Sequence, residues 1–399
     1  MEKTALWSRV GVAVALLLAM AGAASAFQIL PKVSDVDRKL GHLGANAFAD
    51  SVGQWMVGAA LPMTKAPVHE AITLAAIGCD QPPGSERECL TEDAINVNRV
   101  LLYGVRWPDD PPFRLNADSP PRIADCDVRV TLRSTAQPRC WLGLFKDAGV
   151  KAGLALRKNP GVIPFGPGDY LLYRSHYGDL QFMHSMGAVD GEAAGQTRAR
   201  MKMWARFLWG VATREIAADK YIRQIGLEDL TRYFPGDITA TNLFATGIVE
   251  VRKDIDQVAL GVLLHMVQDS FSQAHADRAA ETGGLCEGNS YARPGAIKRY
   301  YSYARQDGSL HDEEDTFGAL GLQTAQISPN AVDVSRAFID LWRNRVNWLE
   351  AEKLFDCAFE LQDASAPAAP GRFARAGPGE TPPAPSNGLP SSDLSPGGN

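Results

Sequence analysis

Apolar residues recur at helical spacing along most of the chain. In the run holding Val258, Leu260, Val262, Leu263, Leu264, Met266 and Val267 they leave no broad polar face, so this segment reads as a buried helix. Further helical patterns cover residues 67–78, 91–105, 195–224, 240–275 and 329–361, whereas convincing alternating strands are few. The expected fold class is all-α. Met201, Met203, Trp204, Phe207, Leu208 and Trp209 crowd one of these helices and read as a packing face rather than a lipid-facing stripe. The two ends differ from the middle. Lys3 and Arg9 precede an apolar run from Val10 to Ala21 that closes on Ala24-Ser25-Ala26, so residues 1–26 are expected to be a cleaved export signal, with Phe27 the new N-terminus. Residues 364–399 are dominated by Pro, Gly, Ser and Ala without apolar period and read as a disordered tail. Residues 27–363 are left as one domain. Within it, about 110–168, lies a Pro- and Gly-rich insertion containing two cysteines.

Composition narrows the classes of function. A chain of 399 residues, 45% hydrophobic, can bury a substantial core and a site inside it. Its net charge of −6, without basic runs, gives no broad electrostatic footprint for duplex nucleic acid. Six cysteines behind an export signal predict up to three disulfides, with Cys79–Cys89 and Cys126–Cys140 as local pairs and Cys286–Cys357 left over. The chain has no C-x-x-C pair, P-loop, G-x-G-x-x-G or G-x-S-x-G, which removes the simplest cysteine-zinc, nucleotide-binding and serine-hydrolase readings.

Candidate chemistry lies in the histidines. There are seven, at positions 42, 69, 176, 184, 265, 275 and 311. His265 and Asp269, four apart on the buried helix, project from one face, and His275 follows six residues later. His311 and Asp315 repeat the four-residue spacing, which lets imidazole and carboxylate hold one cation between them. Earlier, Val68-His69-Glu70-Ala71-Ile72-Thr73 opens a helix with an imidazole in its first turn. Thr73 stands where a zincin would need its second histidine, so the segment is not a metalloprotease motif.

The order H-x3-D-x5-H followed by H-x3-D resembles the zinc-dependent phospholipase C and S1/P1 nuclease superfamily, a mostly helical fold that holds three zinc ions. The upstream elements Trp107-Pro108-Asp109 and His176-Tyr177-Gly178-Asp179 are similar to that family's as well. The resemblance implies that Asp269 bridges two ions, that His265 and His176 serve one of them together with Asp109, and that His275, His311 and Asp315 hold the third. His69 and the main chain of the mature N-terminal residue complete the set. The family more often ends its last motif in glutamate, which leaves Glu314 as a fallback for Asp315. His184 stands as an alternative to His176, although its neighbours Phe182 and Met183 favour packing. The N-terminal ligand is Phe27, or Trp55 after further trimming, or absent. The implied activity is zinc-dependent phosphodiester hydrolysis with Asp109 as general base, by a secreted or periplasmic monomer. Its expected substrate is a phospholipid headgroup ester met in transient contact with a membrane surface. A single-strand nuclease and a non-catalytic zinc-stabilised protein are the alternatives.

Overall fold

A computed structural model describes residues 67–79, 81–111, 138–246, 248–280 and 283–375. Along these the chain runs through α1 (Val68–Ile77), α2 (Glu92–Val97), α3 (Arg99–Arg106), α4 (Pro138–Lys158), α5 (Leu171–Tyr177), α6 (Ala194–Ala212), α7 (Glu228–Tyr233), α8 (Ala240–Ala245) and α9 (Ile255–Asp269). Strands β1 (Ala276–Arg278) and β2 (Ile297–Tyr300) follow, then α10 (Gly308–Glu314), α11 (Phe317–Gln326), α12 (Ala331–Arg343) and α13 (Trp348–Ala358). The described fold is thus mostly helical, with one antiparallel two-stranded sheet in the register Ala276↔Tyr300, Asp277↔Arg299 and Arg278↔Ile297. The signal segment, Phe27 and Trp55 lie outside the described residues. None of the described helices is long and apolar enough to cross a membrane.

Helix α9 is the axis, because it is apolar on every side and α1, α3, α6, α8 and α12 all pack on it. Its crossing with α3 is unusually close. A Cβ on Gly261 would stand 2.6 Å from the Val105 backbone nitrogen, and one on Gly104 would sit 2.9 Å from the Val258 carbonyl carbon. Two glycines therefore let the backbones touch, and the turn after α3 is brought against the end of α9.

The long helical patterns are cut where the backbone takes conformations that apolar spacing does not report. The pattern over 195–224 stops at Ala212 before Arg214 (φ 66°), and that over 329–361 breaks between α12 and α13 at Arg345 (φ 52°). Asn98 ends α2 and begins α3, its amide donating to the Ala94 carbonyl. The span 240–275 divides into α8, a turn, and α9, which ends at Asp269. Within the expected insertion, residues 138–158 are helix instead, and α4 buries Leu144, Phe145, Ala148 and Ala152 against α5.

Cys79–Cys89 and Cys286–Cys357 are disulfides, with Cα separations of 5.8 and 5.6 Å. Such bonds belong to oxidising compartments. The Cys126–Cys140 pairing lies outside what is described. A correction concerns the tail. Residues 364–375 run across the fold: the Ala364, Ala366, Ala368 and Ala369 carbonyls accept from the backbone amides of Gly195, Ala194, Gly191 and Ser302, and Ala366, Ala368 and Phe373 are buried. Small side chains make this strap thin enough to lie against Gly187 and Gly195, a fit that composition alone reads as disorder.

Candidate metal centre

Helix α9 delivers His265 and Asp269 from one face, fully buried, and the neighbours come from five other places in the chain. His69 enters from the first turn of α1 and reaches Asp269, Nε2 to Oδ1 at 3.3 Å. Asp109 comes from the turn after α3, behind the buried Trp107 ring that meets Phe244 edge-on. His184 ends the short 3-10 turn Gln181–His184. Ser185 follows in the left-handed region (φ 53°), its hydroxyl donating to the Met266 carbonyl at 2.6 Å, and this swings His184 towards α9. His184 Nδ1 lies 3.0 Å from Asp269 Oδ2, 2.9 Å from His265 Nε2 and 3.6 Å from Asp109 Oδ1.

Beyond α9 the chain is turned by Arg278. Its half-buried guanidinium sits over the Phe271 ring and donates to the carbonyls of Ser270, Gly295 and Ala358. His275 is thereby set beside His311 of α10, Nε2 to Nε2 at 3.2 Å. Asp315 closes this group, with Oδ2 3.2 Å from His311 Nε2 and Oδ1 accepting from the Ser272 hydroxyl.

Three sets of ligand atoms result, each within 4.8 Å of one another: His69, His265 and Asp269; Asp109, His184 and His265; His275, His311 and Asp315. His176, ranked above His184 as a ligand, belongs to none of them, whereas His184 belongs to the second. The His176 Nδ1 lies 3.0 Å from the Leu172 carbonyl within α5, Phe145 packs edge-on against the ring, and the His184 imidazole lies 5.3 Å away on the cluster side. Asp179, from the same sequence element, forms a two-pronged pair with Arg174. Glu314 pairs with Arg372, leaving Asp315 as the carboxylate of the third group.

The hydrogen bonds behind the imidazoles decide what the cluster can hold. His265, His275 and His311 direct Nδ1 at the Val105 carbonyl (2.7 Å), the His184 carbonyl (2.6 Å) and Gln306 Oε1 (2.6 Å), while His69 directs it at Gln268 Oε1 (2.6 Å). These oxygens only accept, so each Nδ1 carries the proton and each Nε2 presents a lone pair inward. Inward there are further acceptors. His265 Nε2 lies 3.0 Å from Asp269 Oδ2, and among the described residues neither Asp109 oxygen, nor Asp269 Oδ1, nor Asp315 Oδ2 has a hydrogen bond. Lone pairs facing lone pairs in a buried pocket require positive charge between them, and the imidazole and carboxylate donors fit a divalent cation.

Proton affinities agree with that reading. Burial pulls the His265 imidazole down to about 3 against the attraction of Asp269, and burial likewise lowers His275. Burial also opposes a proton on His69 and His311, but the facing carboxylates of Asp269 and Asp315 outweigh it and both are raised. Burial, then the neighbouring Asp269 and Asp315 carboxylates, push Asp109 well above the usual carboxylate range. Asp269 is held well below that range: burial acts upward, but the surrounding imidazoles prevail. Without a cation the cluster must collect protons to balance its oxygens, and a bound cation removes the need.

Gln268 and Gln306, which orient His69 and His311, and Ser185, which aims His184, are the working residues the sequence reading missed. Gln268 alone carried a signal, since it lies three residues after His265 on the same helix. Comparison of the chain with models of protein families, with curated proteins and with solved structures finds no match in any of the three.

Proposed function

We propose that the protein is an exported, zinc-dependent phosphodiester hydrolase of the phospholipase C type, in which the three groups hold up to three zinc ions. The supporting observation is the convergence of inward lone pairs and carboxylate oxygens in three groups, two of which meet at His265, with Asp269 Oδ2 3.0 Å from both His265 Nε2 and His184 Nδ1. Ions held by the first two groups would lie close enough to act on one phosphate, and Asp269, with one oxygen towards His69 and the other towards His184, is the carboxylate placed to serve both. Zinc so held lowers the pKa of bound water and neutralises the non-bridging oxygens of a phosphodiester. Asp109 is the base: its buried carboxylate, neither oxygen hydrogen-bonded among the described residues, accepts the proton of the water that attacks phosphorus. His69, His184, His265, His275, His311 and Asp315 fix the geometry. The acidic chain, without basic runs, favours a phospholipid headgroup ester over a polynucleotide. Two disulfides and the N-terminal leader pattern support action outside the cytoplasm, by a monomer touching the membrane surface transiently.

The test is a zinc count on purified protein, followed by phosphatidylcholine vesicles and single-stranded DNA offered side by side. Bound zinc with release of phosphocholine and diacylglycerol is expected. Cleavage of DNA alone would replace the reading with a single-strand nuclease, and zinc without hydrolysis of either would make the metal structural.

A further inference from the structure

Resting on the metal-centre reading above, we infer that Gln306 is a positioning residue for the His275, His311 and Asp315 group, and that the C-terminal strap Pro370–Arg375 is part of that site's scaffold. Gln306 is buried, and its amide is held in one orientation. Nε2 donates to the Ala274 carbonyl at 2.9 Å and reaches the Pro370 carbonyl at 3.5 Å, while Oε1 faces His311 Nδ1 at 2.6 Å. Flipping the amide would set its oxygen against two carbonyls. The orientation therefore assigns the proton of His311 to Nδ1 and turns the Nε2 lone pair towards His275 and Asp315.

The strap fixes Gln306 in turn. The Asp307 amide donates to the Phe373 carbonyl at 2.6 Å, Arg375 Nε donates to the Gln306 carbonyl at 2.9 Å, and the Arg375 amide donates to the Arg305 carbonyl at 3.1 Å. Arg372 bonds Gln273 Oε1 at 2.7 Å and also Glu314, joining the segment before His275 to the one before Asp315. One short stretch of chain thus ties together every segment that supplies this group.

The experiment measures zinc stoichiometry and chelator-competition affinity, and the visible spectrum after cobalt substitution, for the wild type, Gln306→Leu, Gln306→Glu and Arg372→Ala. Circular dichroism checks each fold. Three ions are expected in the wild type. In Gln306→Leu the affinity for one ion should fall about 10–100-fold, the usual cost of losing a group behind a ligating histidine, and one cobalt band should weaken. Gln306→Glu keeps an acceptor for His311 but sets its second oxygen against the Ala274 and Pro370 carbonyls, so it should recover only part of that affinity. Wild-type affinity in Gln306→Leu overturns the inference, since the side chain would then only fill space, and so does a Gln306→Glu protein that binds no better than Gln306→Leu, which would mean that the acceptor facing His311 does not matter. Arg372→Ala changes a half-exposed side chain outside the core and should weaken the same ion. Unchanged binding there removes the strap from the site. A wild type that binds no zinc refutes the metal centre itself and the inference with it.

Discussion

The ligands around Asp269 and those around His311 share one chemistry but are held by different means. The first set hangs on a core helix: His265 and Asp269 share a face of α9, and the Val105 carbonyl that orients His265 is placed by the Gly104–Gly261 crossing. The second set lies in connecting chain beyond α9, oriented by Gln306, Ser272 and a strap of the C-terminal segment. A site inside a packed core inherits the core's precision, whereas one built from connections needs hydrogen bonds supplied for it. The two sets should therefore fail in different ways when ligands or backbones are altered.

The largest effect is expected at the bridge. Asp269→Asn keeps shape and removes charge from the residue shared by the first set. Zinc content should fall by about two ions, and hydrolysis by on the order of 1000-fold or more, beyond the cost of altering groups behind the ligands. His311→Ala should remove one ion and leave the others. A loss of equal size in both variants, read by metal analysis, would mean the two sets are one cooperative unit.

Next in size is the contrast between two neighbouring histidines. His184→Ala should release one ion with a loss of activity comparable to Asp269→Asn, whereas His176→Ala should keep the full metal content and lose mainly packing against Phe145, about 1–3 kcal/mol of stability. Retention of all zinc in the His184 variant would return His176 to the ligand set.

That pair also shows what the sequence makes legible. His265 with Asp269 and His311 with Asp315 could be found because helical spacing converts a four-residue interval into a shared face. Cys79–Cys89 could be paired by proximity in the chain, and Cys286–Cys357, 71 residues apart, only as the pair left over. His184 could not be placed in this way. Phe182 and Met183 beside it are indeed core residues, but a short 3-10 turn followed by a left-handed serine sets His184 against His265 and Asp269. The helix breaks at Arg214 and Arg345 were hidden for the same reason, since backbone conformation at a single residue leaves apolar spacing unchanged. The strap was hidden because partners distant in sequence, not its own composition, order it.

A smaller effect tests the core's share of that precision. Gly261→Ala places a methyl group against backbone atoms of α3 that cannot move independently. It should cost about 1–3 kcal/mol in denaturant unfolding and shift His265 away from the Val105 carbonyl, weakening the first set's ions but not the third. Gly153→Ala on α4, with nothing within 4 Å, should instead stabilise by about 0.5–1 kcal/mol. If both substitutions stabilise, the close crossing is not what positions the site.

The subtlest effect is in protons: it runs within each set rather than between them, and it is expected in metal-free protein prepared by chelation. His311 has a raised pKa, so its protonated form stabilises the fold at low pH, and that contribution is lost as pH rises through its folded value. His265 has the opposite sign. Its pKa is lowered to about 3, so the unfolded chain takes up a proton near 6.5 that the folded chain refuses, and stability falls progressively as pH drops from there towards 3. NMR titration of the imidazole resonances should show His69 and His311 titrating above 6.5 while His265 stays neutral far into acid. With zinc restored, all should cease to titrate over that range, because the cation takes the lone pair each proton would need. Titration of every imidazole together near 6.5 in the metal-free chain would erase the split that each set carries between a raised and a lowered imidazole, and with it the charge balance that a cation would replace.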